Sequence, residues 1–126
     1  TPNERSKKIA MTFDACMTAG MLKRIASGKD QPLYNAAIVA FLKQEKIQAT
    51  IFVTGLWAEK YPEAVRELAA DPLFEIGNHS FSHRAFADSC YSLPPLPQNE
   101  KERELRMSQE ILTRLTGKTP ALFRFP

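Results

Sequence analysis

Apolar residues along the chain fall into two rhythms, one of period two or continuous, the other of three and four, and they alternate. Lys8 to Phe13 (KIAMTF) is a short apolar run fit for a buried strand, with Asp14 at its C-terminal end. Residues 15–33 carry Gly20, Gly28 and Pro32 around a helix-compatible MLKRIAS. From Tyr34 to Glu45 apolar residues recur at 34, 37, 38, 41 and 42, which predicts an amphipathic helix. Ala49 to Val53 (ATIFV) predicts a strand closed by Thr54-Gly55. Trp57, Tyr61, Val65, Leu68 and Ala69 restore the helical rhythm over 57–70, and Asp71-Pro72 stops it. Pro62 sits inside that stretch and divides it into two short helices. Phe74 and Ile76 alternate with polar neighbours as a third strand, and Gly77-Asn78 is a turn signal that should end it. Residues 84–98 form a Ser- and Pro-rich loop containing LPPLP, read as a rigid surface loop ahead of a proline-rich ligand for another domain. Glu100 to Thr116 is a charged helix with Leu105, Ile111, Leu112 and Leu115 on its apolar side, capped by Gly117 with Pro120 beyond. Ala121 to Phe125 (ALFRF) predicts a last strand.

Strand, helix, strand, helix, strand, helix, strand is the order of a parallel sheet covered by helices. In such α/β architectures the chemistry gathers at the C-terminal ends of the strands. Asp14, His79 and Arg124 all fall at or near such ends.

Composition narrows the class. With 126 residues, 44% apolar and 25% charged, the chain has the makings of one domain, or part of one, with a packed core. Its formal charge of +3 is spread over short mixed clusters at Arg5-Lys7-Lys8 and Lys101 to Arg106. No basic stripe interleaves with stacking aromatics, so nucleic acid is not an expected partner. No apolar run approaches the roughly 20 residues that span a bilayer, and none reads as a signal peptide. The chain opens at Thr1 without an initiator methionine, which suggests that residues have been removed. There is no glycine-rich phosphate loop and no internal repeat.

Candidate chemistry centres on FEIGNHSFSH, residues 74–83, which holds both histidines of the chain. If residues 79–83 form a helical turn, His79 and His83 lie on one face and can share a metal ion. Taken singly the candidates have ordinary readings: a chance histidine pair, a capping aspartate at 14, a surface ion-pair arginine at 124. Two cysteines, Cys16 and Cys90, are most simply two buried thiols, and they allow one disulfide.

Three segments resemble, in order, the first three motifs of the polysaccharide deacetylases, the carbohydrate esterases that carry the chitooligosaccharide deacetylase homology domain. They are MTFDA (Met11 to Ala15), NHSFSH (Asn78 to His83) and FRFP (Phe123 to Pro126). ATIFVTG, FEIGNHS and TGKTPALFRFP between them resemble the family as well, so the likeness covers residues 8–126. It implies a distorted (β/α) barrel, of which residues 1–126 would be the N-terminal part of one domain. It also implies a divalent metal, commonly zinc, held by His79 and His83, a general base at Asp14 and an arginine at 124 that orients the base. The implied reaction is removal of N-acetyl groups from an amino-sugar polymer such as peptidoglycan or a chitin-like oligosaccharide. Removal of O-acetyl groups from a glycan such as xylan, or carbohydrate binding without catalysis, are the alternatives. Such substrates lie outside the cytoplasm, so a periplasmic or secreted protein is expected, and a Cys16–Cys90 bridge would suit one.

Two departures from the family pattern matter. Many members read TFDD, with the second aspartate as the third metal ligand, and here that position is Ala15. Three alternatives fill that place: water completes the shell, Asp14 crosses to the metal, or Cys16 binds it. The sequence leaves all three open. The sequence also stops at Pro126, the last residue of the third motif, where the family has two more motifs, including a leucine-x-histidine segment whose histidine resembles the general acid. The remainder of the domain is therefore an expected partner, as further chain or as a second chain.

Overall fold

A computed structural model describes residues 8–31, 33–88 and 90–126, so the polar opening segment 1–7 and Pro32 lie outside the described residues. Three five-residue strands, β1 (Met11–Ala15), β2 (Ala49–Val53) and β3 (Phe74–Asn78), form a parallel sheet in sequence order. Helices α1 (Ala19–Ala26) and α2 (Ala36–Gln44) lie between the first two strands. The α3 (Gly55–Lys60) and α4 (Pro62–Ala70) helices follow β2, and α5 (Lys101–Thr116) comes after the long loop. Pro62 is the first residue of α4, where its missing N–H is no loss, and so the predicted stretch becomes two helices.

One face of the sheet makes the core. Ile51, Val53, Phe74 and Ile76 pack with Trp57, Val65, Leu68, Ile111 and Leu112 from the helices, all buried. Trp57 also donates its indole N–H to the Leu33 carbonyl, 2.9 Å away, so the core's largest ring is not left with an orphan polar atom. The α2 helix turns Val39 and Leu42 toward this core, joined by Tyr34 just ahead of it, while Ile38 and Phe41 of the predicted apolar stripe are exposed. Its stripe is wider than the strip of core it covers.

Several predicted boundaries shift. β1 runs two residues beyond the apolar run, which puts Asp14 inside the strand opposite Phe52. β3 ends at Asn78, where the turn signal falls, with Gly77 and Asn78 as its last two residues, paired with Phe52 and Val53. Residues 121–125 do not form a strand. A single parallel bridge joins Phe123 to Asn78, with Asn78 N–H donating to Leu122 and Arg124 N–H to Asn78. The segment occupies a fourth strand's place for one residue pair. In the 84–98 loop the proline-rich segment is held internally: Ala85 N–H donates to Pro94, Leu96 N–H to Ala85, and Leu96 is buried.

The register fixes a row across the sheet's other face: Asp14, Phe52, Gly77. Gly77 is there for space. A Cβ on it would stand 2.6 Å from the Phe52 ring, closer than packed atoms approach. Gly77→Ala is therefore expected to cost about 1–3 kcal/mol by overpacking, read by urea unfolding. Adding Phe52→Leu should return much of that loss; an equal loss in both backgrounds would show that the ring is not the obstacle.

Candidate active site and metal centre

Asp14, His79, His83 and Arg124 converge at the C-terminal end of the sheet. Arg124 donates from one guanidinium nitrogen to Asp14 Oδ1 at 2.6 Å and from the other to Thr12 Oγ1 at 2.9 Å. Its fork is thus shared between two inward-facing residues of β1 and does not close on the carboxylate alone. The guanidinium carbon lies 4.2 Å from the centre of the Phe52 ring, a cation–π contact over the middle strand. Three strand spacings separate the position of Arg124 from β1, roughly 14 Å in a flat sheet. That is farther than an arginine side chain reaches, so the contact requires the sheet to curl toward a barrel.

The histidines meet differently from expectation. Residues 79–83 form an irregular loop, not a helical turn, with Ser80 and His83 in the left-handed region at φ 66° and 57°. The rings still come together edge to face, with centroids 4.9 Å apart. His79 is buried, and its Nδ1 is 2.9 Å from the Arg124 carbonyl. A carbonyl can only accept, so Nδ1 is the donor there and Nε2 is the ring atom left to face a metal, the arrangement of a metal-ligating histidine. Burial lowers the His83 pKa, the neighbouring His79 adds to this and Asp14 opposes it. A neutral ring, able to bind a metal, is favoured.

Cys16 completes the cluster. One ligand atom each from Cys16, His79 and His83 lies within 4.8 Å of the others. Donors about 2.0–2.3 Å from a tetrahedral zinc stand roughly 3.3–3.7 Å apart, so small side-chain rotations would close this set around an ion. The donor set fits a divalent metal of the zinc type. Cys16 is not bridged to Cys90, and both are free thiols.

Two buried residues hold these groups in place. Thr54 receives the Met17 N–H at 3.0 Å on its hydroxyl, donates that hydroxyl to the Ala15 carbonyl at 3.3 Å, and caps α3 through the Trp57 N–H. Cys16 is bracketed on both sides. Glu104, in the first turn of α5, accepts the backbone N–H groups of Phe81 and Ser82 at 3.1 and 2.9 Å and the Ser82 hydroxyl at 2.6 Å. It ties down the loop between the histidines. Sequence reading passed over Glu104 as one more surface charge. The available signal was its register: 104, 108, 111, 112 and 115 lie on one side of α5, and Glu104, Ser108, Ile111 and Leu112 are buried.

A curled parallel sheet thus brings a carboxylate–arginine pair beside a thiol and two imidazoles at one end of an α/β fold. A family model described as polysaccharide deacetylase matches residues 1–126. The chain belongs to that family, and its strands and helices are the N-terminal ones of the family's distorted (β/α) barrel. A peptidoglycan-N-acetylglucosamine deacetylase of Bacillus cereus is 33% identical over 119 residues, 94% of this chain and 36% of the relative. The peptidoglycan-N-acetylmuramic acid deacetylase PdaC of Bacillus subtilis is 29% identical over 126 residues, 100% of this chain and 22% of the relative. The solved structure of PdaC superposes with a TM-score of 0.65 at 28% identity, over 95% of this chain and 49% of that one. A family 4 carbohydrate esterase pseudoenzyme from Bacillus anthracis shares the fold, with a TM-score of 0.68 at 20% identity over 98% of this chain and 37% of that one. The chain spans less than half the length of the curated relatives it matches. Among the described residues no helix is long and apolar enough to cross a membrane.

Two outcomes test the site's construction. Glu104→Ala strands two partly buried N–H groups and should cost up to about 1–3 kcal/mol for each one left unpaired, measured by urea unfolding, while Glu104→Gln keeps an acceptor and loses less. In metal-free protein, burial and then the Asp14 charge push the Cys16 thiol up from 9.0 to about 11. Alkylation follows the thiolate, so Cys16 labelling by iodoacetamide should become fast only well above pH 9, and Asp14→Asn should move that onset to lower pH.

Proposed function

We propose that this chain is the N-terminal part of a longer deacetylase domain that hydrolyses N-acetyl groups of an amino-sugar glycan, peptidoglycan or a chitin-like oligosaccharide, to free amine and acetate. The observation that carries the reading is the Asp14–Arg124 contact at 2.6 Å beside the cluster of Cys16, His79 and His83. The names of the curated relatives support the substrate class. His79 and His83 hold a divalent metal, with zinc the ion their nitrogens suit. When bound, such an ion supplies Lewis acidity and lowers the pKa of a bound water.

The chain's own residues do the rest. Asp14, partly open to solvent, accepts the proton of the attacking water as its oxygen bonds to the acetyl carbon. Arg124 fixes the carboxylate's direction, and its outer nitrogen on Thr12 keeps the guanidinium from rotating with it. The C–N bond then breaks, and the departing amine takes a proton from a general acid outside these residues. Substrate in the cell wall places the protein outside the cytoplasm, periplasmic or secreted. A second reading, glycan binding without turnover, draws on Ala15, which cannot replace an acidic ligand.

Acetate release by the full-length protein from N-acetylglucosamine oligomers and from acetylated xylan, before and after chelation, tests these readings. Release from the oligomers that chelation abolishes supports N-deacetylation, release from xylan alone an O-acetyl esterase, and none from either the binding role. Asp14→Asn should retain metal and lose about 10²–10⁴-fold in kcat. Arg124→Ala removes the partner of Asp14 but keeps the backbone carbonyl that receives His79, so it too should lose turnover while metal content by elemental analysis is unchanged. His79→Ala with His83→Ala should lose the metal; unchanged metal content in that double variant would place the ion elsewhere.

A further inference from the structure

We propose that the Cys16 thiolate is the third protein ligand of the metal, so that this chain carries a site of one sulfur and two imidazole nitrogens. The proposal rests on the reading of His79 and His83 as metal ligands and goes a step further, because it says which of the vacant role's candidates fills it. Ala15 offers no donor atom. Asp14 is the neighbouring carboxylate, but it is engaged by Arg124 at 2.6 Å and stands outside the group whose ligand atoms lie within 4.8 Å of one another. The sulfur of Cys16 is inside that group.

Its position is built, not incidental. The peptide carbonyl before Cys16 accepts both the backbone N–H of Thr54, at 3.1 Å, and its hydroxyl, and the N–H of Met17 after it donates to the same hydroxyl. Thr54 and Met17 are both fully buried, so the bracket sits in the core and moves little. The same end of β2 receives the His79 N–H on the Val53 carbonyl, 3.1 Å away. One strand end thus sets the spacing between the sulfur and the first imidazole. Cys16 is a free thiol, so no disulfide withholds the sulfur.

A thiolate carries the same single negative charge as a carboxylate, so the net charge of the ligand set is preserved while its chemistry changes. Sulfur is soft, and it favours zinc and cobalt over magnesium or manganese, which prefer oxygen. Three protein ligands also leave a fourth tetrahedral position for water or substrate, as a catalytic site needs. With Cys16 as ligand, Asp14 keeps its partner Arg124 and is left free to handle the proton.

Cobalt(II) titration of the metal-free full-length protein tests this by absorption, independently of turnover. The expected result is one bound cobalt with visible d–d bands and a near-ultraviolet band from thiolate-to-cobalt charge transfer. Cys16→Ser should lose the charge-transfer band and weaken zinc by more than the roughly 10–100-fold that loss of an outer-shell partner brings. Cys16→Asp should bind cobalt with d–d bands alone, which shows that the site still folds, and Cys90→Ser should leave the wild-type spectrum intact. Cobalt bound by the wild type without the charge-transfer band, or a band that survives Cys16→Ser, overturns the sulfur ligand while leaving the histidine site standing. Failure of the wild type to bind cobalt or zinc, or full binding after His79→Ala with His83→Ala, overturns the histidine site and the proposal with it.

Discussion

The guanidinium of Arg124 closes the sheet's open face by reaching back over 110 residues to Asp14. That reach sets conditions for much of what lies between. The sheet has to curl, the middle strand has to offer a surface the cation can cross, and the chain after α5 has to return beside β3. Phe52 supplies the surface, and Gly77 the room for its ring. The single bridge between Phe123 and Asn78 supplies the return. A charge-assisted hydrogen bond is roughly twice as strong as a neutral one. Here both partners are about a third exposed, which weakens the attraction, so direction matters more than energy.

The same segment serves two groups through two kinds of atom. The Arg124 side chain holds Asp14, and its backbone carbonyl holds the Nδ1 proton of His79. The carboxylate and the first imidazole are therefore referenced to one residue, and a shift of that residue moves both together. Thr54 plays the matching part on the other side, between β1 and β2, and Glu104 reaches across from α5 to the loop that carries His83. These holders are neutral or charged as their surroundings require. A hydroxyl suffices to bridge one carbonyl and one N–H after β1, whereas a carboxylate is needed to accept two N–H groups and a hydroxyl at once.

The alternation of strand and helix through β3 and the split at Pro62 were legible in the sequence. So was the family, through three short motifs in order. They were legible because each depends on local chemistry: side-chain period, a proline's missing N–H, a glycine after a helix. What the tertiary structure decided depends on distant neighbours. Gly77-Asn78 has turn composition and β3 does stop there, but pairing with Phe52 and Val53 takes both residues into the ladder before it stops. ALFRF has strand composition, but among the described residues it finds one bridging pair on β3. The histidines were expected on a helical turn, and left-handed backbone at Ser80 and His83 brings their rings together instead, held by a glutamate more than twenty residues on. Cys16 could be weighed as a ligand from the sequence, beside water and Asp14. The choice among them depends on where the buried hydroxyl of Thr54 and the fork of Arg124 put each atom. Spacing along a chain constrains neighbours within a few residues, and that choice is set by contacts 37 and 110 residues apart.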